Sequence, residues 1–291
     1  MSGIRTLLTD LVVGESPRWH EGRLWFSNWG AQEIVAVDLE GRREVVAPGP
    51  KVAGYCLDWL PDGRLLVTGD QEILRQETDG SLVRHTDLAG LPMGPNEIVV
   101  DGRGNIYVNL VGFWFGREGF RPGAIALVTP DGNARVVAED IHFPNGMVVT
   151  PDNATLIVAE SWARRLTAFD IAADGSLSNR RLWANVTGDG ICLDAEAAIW
   201  TQTNDNGRPA CLRVREGGEV LERIDLDRAC FAATLGGRDG RTLFMMVAVF
   251  PGVDRLDQLF ATRTGQVLTA PAPVPGARWL ADQAKAETAR T

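Results

Sequence analysis

Four residues with oxygen-bearing side chains stand at nearly the same distance from an apolar run. Glu15, Asn96, Asn145 and Asp189 lie 10, 11, 12 and 11 residues before Trp25, Tyr107, Ile157 and Trp200. Carboxylates and amides are hard donors, so four of them converging would form a site for one hard divalent cation. Glu15 and Asp189 balance its charge, and the amides add neutral oxygens. Calcium, manganese or magnesium suits this set better than a metal that seeks thiolate or imidazole, while zinc is reachable through carboxylates and water. Such an ion polarises an ester carbonyl and acidifies bound water. Convergence requires the four positions to be one place in a unit repeated around an axis.

The repeat is present. Turn-like segments followed by short apolar runs occur at EGRLWFS (21–27), DGRLLVTG (62–69), DGRGNIYVN (101–109), PDNATLIVAE (151–160), DAEAAIWTQ (194–202) and DGRTLFMM (239–246). Their centres are Trp25, Leu66, Tyr107, Ile157, Trp200 and Phe244, separated by 41, 41, 50, 43 and 44 residues. Between them runs a second series of turns, LEGRREVV, TDGSLVRH, PDGNARVV, ADGSLSNRRLW and EGGEVLERI, closed by RTGQVL. Each period therefore holds about four strands, which is the pattern of β-propeller blades. The expected fold is all-β, a six-bladed propeller of four-stranded antiparallel blades around a central channel. No sustained helical stripe occurs before 277–290, where ARWLADQAKAETAR reads as a short helix or a tail.

Composition agrees with one closed domain spanning 1–291. The chain is 45% hydrophobic, and its 32 glycines supply tight turns without a low-complexity linker. A net charge of -9 with no basic run argues against nucleic acid and anionic membranes as partners. The opening MSGIRTLLTDLVVGESP is neither a signal peptide nor a span, and reads as a strand that closes the last blade. A cytoplasmic protein is expected, and a closed ring is compatible with a monomer.

Cys56, Cys192, Cys211 and Cys230 are widely spaced in strand-like surroundings and read as buried free thiols. His20 and His85 fall in turn-like contexts and read as surface residues, and no histidine spacing suits a metal. A nucleophile elbow, a P-loop and a dinucleotide fingerprint are all missing. Serine hydrolysis and nucleotide chemistry are unsupported.

The segments GESPRW (14–19), GPNEIVVDGRGNIYVN (94–109), FPNGMVVTPDNATLIVAES (143–161), GDGICLDAEAAIW (188–200) and TLGGRDGRTLF (234–244) resemble the signatures of the regucalcin (senescence marker protein) and gluconolactonase family. The resemblance implies a six-bladed propeller with one catalytic divalent cation at the channel mouth. Glu15, Asn145 and Asp189 match the family's metal ligands, and Asn96 its further asparagine, which binds substrate or lies just outside the metal's ligands. It also makes Asp189 the candidate proton relay, with Glu97 a second choice for that role. Two positions depart from the pattern: Gly94 stands where the family often has a sugar-contacting arginine, and Glu97 where it usually has aspartate.

Specificity is expected in the long third unit, whose insertion VGFWFGREGFRPG (111–123) holds Phe113, Trp114, Phe115 and Phe120. These rings either roof an apolar substrate or pack between blades. Trp29, Tyr55, His142, Trp162 and Asn204 adjoin channel-end positions and are expected to line the same pocket. The resulting expectation is a metal-dependent hydrolase that opens a small-molecule lactone, either a sugar lactone or a more apolar lactone or ester. The alternatives are a hydrolase of phosphotriesters or other activated esters, and a propeller that binds metal or a partner without turnover.

Overall fold

The computed structural model describes residues 3–114, 117–205 and 207–277. Strand β1 (Arg5–Leu11) comes first. Blade 1 then comprises β2 (Val13–His20), β3 (Arg23–Trp29), β4 (Glu33–Val37) and β5 (Arg43–Pro48). Blade 2 holds β6 (Leu57–Trp59), β7 (Leu65–Thr68), β8 (Glu72–Gln76) and β9 (Leu82–Asp87). Blade 3 holds β10 (Pro95–Val100), β11 (Ile106–Leu110), β12 (Gly123–Val128) and β13 (Ala134–Ile141). Blade 4 is β14 (Pro144–Val149), β15 (Thr155–Glu160), β16 (Arg165–Ile171) and β17 (Leu177–Ala184). Blade 5 is β18 (Cys192–Leu193), β19 (Ile199–Asp205), β20 (Arg208–Val214) and β21 (Val220–Asp225). Blade 6 takes β22 (Ala229–Gly236), β23 (Thr242–Ala248) and β24 (Gly265–Pro271), with β1 as its outer strand. The fold is thus a six-bladed propeller of four-stranded antiparallel sheets.

The six apolar centres read from the sequence fall on the second strand of each blade, and all are buried. The reason is packing between blades. Side chains on the two faces of each sheet meet those of its neighbours, as Leu66 and Ile73 of blade 2 meet Ile98 and Val108 of blade 3. The same layering joins blades 4 and 5 through Ile157, Leu166, Ile199 and Leu212. Blade 6 reaches blade 1 through Phe244, Met246, Leu24 and Phe26.

Strand β1 pairs antiparallel with β24, Arg5 opposite Thr269, so the N-terminal strand closes the last blade as expected. The 50-residue spacing comes from the connection between β11 and β12, where the aromatic insertion lies. One element departs from the sequence reading: α1 (Leu256–Ala261) interrupts the connection between β23 and β24. Six residues are too few to display a helical stripe. Leu259 nevertheless anchors α1 against Val12, Val13 and Ala248. The expected C-terminal helix or tail lies, from residue 278 onward, outside the described residues. Among the described residues no helix is long and apolar enough to cross a membrane.

Candidate metal and substrate site

The inner strand of each blade starts at one end of the channel, and the four oxygen-bearing residues gather there. Glu15 lies in β2, Asn96 in β10, Asn145 in β14, and Asp189 three residues ahead of β18. Register shifts break the pairing after Glu15, between Pro95 and Ile98, and between Pro144 and Met147. A bulge re-aims side chains that regular alternation would send into the sheet. Asn96 and Asn145 sit within these irregularities. Two residues at the same rim hold left-handed backbone, Ser16 at φ 51° beside Glu15 and Phe143 at φ 58° two residues before Asn145. For a bulky side chain this is strained backbone, held in place by its surroundings.

Glycines in the motifs are fixed by close approach. A Cβ on Gly146 would lie 2.4 Å from the Asp189 carbonyl oxygen. The Gly146 N–H instead donates to that oxygen at 3.0 Å, joining blades 4 and 5. Gly190 N–H donates in turn to the Phe231 carbonyl at 2.8 Å, joining blades 5 and 6. On the other side, the Asn96 amide nitrogen donates to Pro144 O at 3.3 Å, linking blades 3 and 4. That leaves the Asn96 side-chain oxygen as its remaining hard donor.

Glu15 is the deepest of the four, and Asn96, Asn145 and Asp189 are partly open to the mouth. Burial drives the Glu15 carboxyl well above the usual range, and the charges of Asp189 and Glu97 add to the effect. Asp189 is pushed up to about 7 by burial, opposed by a hydrogen bond from the Asn145 side chain and reinforced by Glu97. A buried carboxylate beside a half-buried one whose charge disfavours its ionised form is a place where a cation is stabilising. Arg18 does not supply that cation. Its guanidinium donates to Glu97 at 3.0 Å and to Ile98 O at 2.8 Å, and lies 4.0 Å from Asp58. Glu97 is tied further by Ser16 Oγ and by the Ile98 N–H, each to the same carboxylate oxygen. With Glu97 paired, Glu15 and Asp189 are left carrying the charge that one divalent ion would balance. The donor set fits such an ion, and Glu15, Asn96, Asn145 and Asp189 are the residues that would hold it.

A second tier of polar residues braces this rim. Ser27, Thr68, Asn109 and Gln202 each lie two residues after a strand centre. Ser27 Oγ donates to Glu15 O at 3.0 Å, and Thr68 Oγ1 accepts from Cys56 N–H at 2.8 Å. Asn109 Oδ1 accepts from Glu97 N–H at 3.0 Å, and its amide nitrogen donates to Asn145 O. Gln202 Oε1 accepts from Asp189 N–H at 2.9 Å, and its amide nitrogen donates to Gly190 O. Sequence reasoning did not pick these residues out, although their constant offset was available to it.

Aromatic rings crowd the rim of blades 3 and 4. Phe143 and Trp162 stack at 5.1 Å with planes 7° apart, and Phe120 tilts against Trp162 at 5.2 Å. Phe113 contacts Phe120, Phe143 and Trp162, and His142 meets Phe120 at 5.2 Å. Of the expected pocket residues, Phe113 is buried beneath the others as their support, whereas Trp162 and Phe120 are 46% and 41% exposed. Trp114 is half exposed, with its N–H donated to Glu118. Phe115 lies outside the described residues. Phe143 was passed over because the motif containing it was read for Asn145 alone.

Other expectations are corrected. Tyr55 does not line the pocket: it is fully buried between blades 1 and 2, its hydroxyl donated to Glu33 O at 2.9 Å. The Trp29 indole N–H donates to Tyr55 O at 2.7 Å, which holds that ring in the same packing layer. His20 is half-buried rather than superficial, stacked on Trp59 at 4.1 Å at the opposite end of the channel. His85 is likewise half-buried, beside Arg75. Cys56, Cys211 and Cys230 are buried free thiols, and Cys192 is half-buried. A hollow on the outer part of blade 5 holds no comparable convergence, since Arg223 pairs with Asp225 and Arg228 with Asp227.

A closed six-bladed ring with oxygen-bearing side chains at one mouth defines a class of propeller. Residues 13–249 match the family described as the SMP-30/gluconolactonase/LRE-like region, so the chain belongs to that family. It is 27% identical over 248 residues to the 6-deoxy-6-sulfogluconolactonase of Pseudomonas putida, covering 80% of this chain and 82% of that one. It is 26% identical over 223 residues to the diisopropyl-fluorophosphatase of Loligo vulgaris, covering 64% and 70%. Among solved structures, the calcium-binding regucalcin of Agrobacterium tumefaciens superposes with a TM-score of 0.76 at 22% identity, covering 94% and 95%.

Proposed function

We propose that this protein is a divalent-cation-dependent hydrolase that opens the ring of a lactone. The observation that carries the reading is the pair of carboxylates, buried Glu15 and half-buried Asp189, set with Asn96 and Asn145 at the channel mouth. Membership of the family and the likeness to a sulfogluconolactonase support it.

In the reaction, water adds to the lactone carbonyl carbon, the ring C–O bond breaks, and the departing alkoxide takes a proton to give a hydroxy acid. A bound divalent cation supplies polarisation of the carbonyl and acidification of the attacking water. Asp189, open to the mouth, orients that water and passes its proton toward the leaving oxygen. Asn145 orients Asp189, Asn96 meets the substrate's ester, and Glu97, held by Arg18 and Ser16, fixes the inner strand of blade 3 beneath them. A second reading, hydrolysis of activated phosphotriesters at the same residues, is favoured by the likeness to diisopropyl-fluorophosphatase.

The test follows proton release from sugar, aliphatic and aryl lactones by chelator-stripped protein resupplied with calcium, manganese, magnesium or zinc. Activity that disappears on stripping, returns with one ion and is lost in folded Asp189→Ala is the expected result. A folded, metal-supplied protein inert toward every lactone refutes lactone hydrolysis. The same preparation is then offered a phosphotriester, and inertness there too leaves a binding propeller.

A further inference from the structure

We infer that the lactone carries an aryl substituent, seated on the ring wall formed by Phe120, Phe143 and Trp162; this rests on the lactonase reading above. The wall adjoins the donors directly. Phe143 precedes Asn145 by two residues, and the Ser161 hydroxyl, one residue before Trp162, donates at 2.7 Å to Gly188 O beside Asp189. The Trp162 N–H donates to His142 O at 3.3 Å, pinning the two rim segments of blade 4 together. Buried Phe113 holds the rings from below.

Single exposed apolar residues need no explanation, but contiguous rings beside a polar pocket do. Phe120 and Trp162 are 41% and 46% exposed while tilted against one another, so together they present apolar area that a flat apolar group would cover. A second apolar cheek stands across the mouth. Phe231, whose carbonyl accepts the Gly190 N–H, meets Phe250 at 5.8 Å, and Phe250 and Val253 are exposed at 39% and 47%.

A polyhydroxylated ring would ask for something else: hydrogen-bonding side chains at the wall's edge with capacity to spare. Among the described residues, several of those nearest the wall are already engaged. Glu118 takes Arg121 and the Trp114 N–H, and His142 lies 3.6 Å from Asp140. Glu160 is consumed by Arg165, Arg180, Thr167 and the His142 N–H. Gly94, at φ +80°, contributes no side chain at all.

The test compares kcat/KM for a phenyl-substituted γ-lactone with that for glucono-1,5-lactone, using metal-supplied protein, and repeats both with Trp162→Ala and Phe120→Ala. Stacking on such rings predicts that each variant lowers the phenyl-to-sugar ratio about tenfold, mainly through KM. A sugar lactone preferred by the unaltered protein, or both substrates weakened alike, overturns the inference. Should no lactone be turned over, calorimetric titration with the corresponding phenyl lactam decides separately. Binding lost in Trp162→Ala upholds the aryl site while the hydrolase reading falls, and no binding overturns the aryl site as well.

Discussion

Gln202 offers the sharpest trial of how the rim is built, because its carboxamide is buried and both ends work on backbone. Its oxygen is the acceptor for the Asp189 N–H at 2.9 Å, and its nitrogen donates to Gly190 O. In Gln202→Leu the volume is nearly kept while both bonds vanish. The two losses are unequal. Gly190 O retains the donor Ala233 N–H at 3.2 Å, whereas no second acceptor is recorded for the Asp189 N–H among the described residues. Leaving one buried donor unsatisfied costs about 1–3 kcal/mol, and the lost bond to Gly190 about 1 more. The variant should therefore unfold in urea with about 2–4 kcal/mol less stability and an unchanged slope against denaturant. Because Asp189 loses its brace, cation affinity should also fall about 10- to 100-fold, as when outer partners of metal ligands are removed. Urea titration and calorimetric metal titration of the stripped protein measure the two effects separately. Stability within about 0.5 kcal/mol of the parent, with unaltered affinity, would refute the bracing argument.

Further outcomes follow from other parts of the ring. Burial alone would raise the Glu160 carboxyl, but hydrogen bonds from Arg165, the His142 N–H and Thr167 outweigh it and hold it down to about 2. A depressed folded value means stability present above the ordinary carboxyl range and lost as pH falls from about 4.5 toward 2, on the order of 3 kcal/mol. Glu160→Gln should flatten that part of the acid-stability curve, and an identical slope would dismiss the role. Gly146→Ala forces a Cβ onto the Asp189 carbonyl, so it should abolish cation binding or soluble folding; a fully stable, cation-binding variant would contradict the close approach. Arginine at Gly94 meets Val111 Cβ at 3.4 Å and adopts left-handed backbone, so Gly94→Arg should lose about 1–2 kcal/mol in urea unfolding, and no loss would show that the turn readjusts.

Much of the fold was legible because turn and strand alternate at a period that six units repeat, and inter-blade packing buries the same strand centre in each. The four hard donors were legible for the same reason, being one position seen four times. Tyr55 shows where that logic fails. Its offset matches the donors, yet blade 2 turns the phenol outward from the channel to the Glu33 carbonyl, a partner 22 residues away. The union of Arg18 with Glu97 spans 79 residues and leaves no local trace, so the three bonds to Glu97 Oε1 were not legible in the sequence. The aromatic wall was half visible. Its insertion was plain, but Phe143 and Trp162 join it only because the rim of blade 4 folds beside blade 3.

Closure of the ring by β1 has a kinetic meaning. Residues 5 and 269 pair across 264 intervening steps of chain, the most distant contact in the sheet system. Bringing ends that far apart together carries a logarithmic entropy of about 5 kcal/mol, offset only when the whole outer strand zips onto β24. Blades 1 to 5 are each built from neighbouring sequence and can form as synthesis proceeds, but blade 6 must wait for the first strand to return. Until then β24 presents an open edge. The interval between emergence of β24 and capture of β1 is the period in which this protein is most exposed to pairing with another chain.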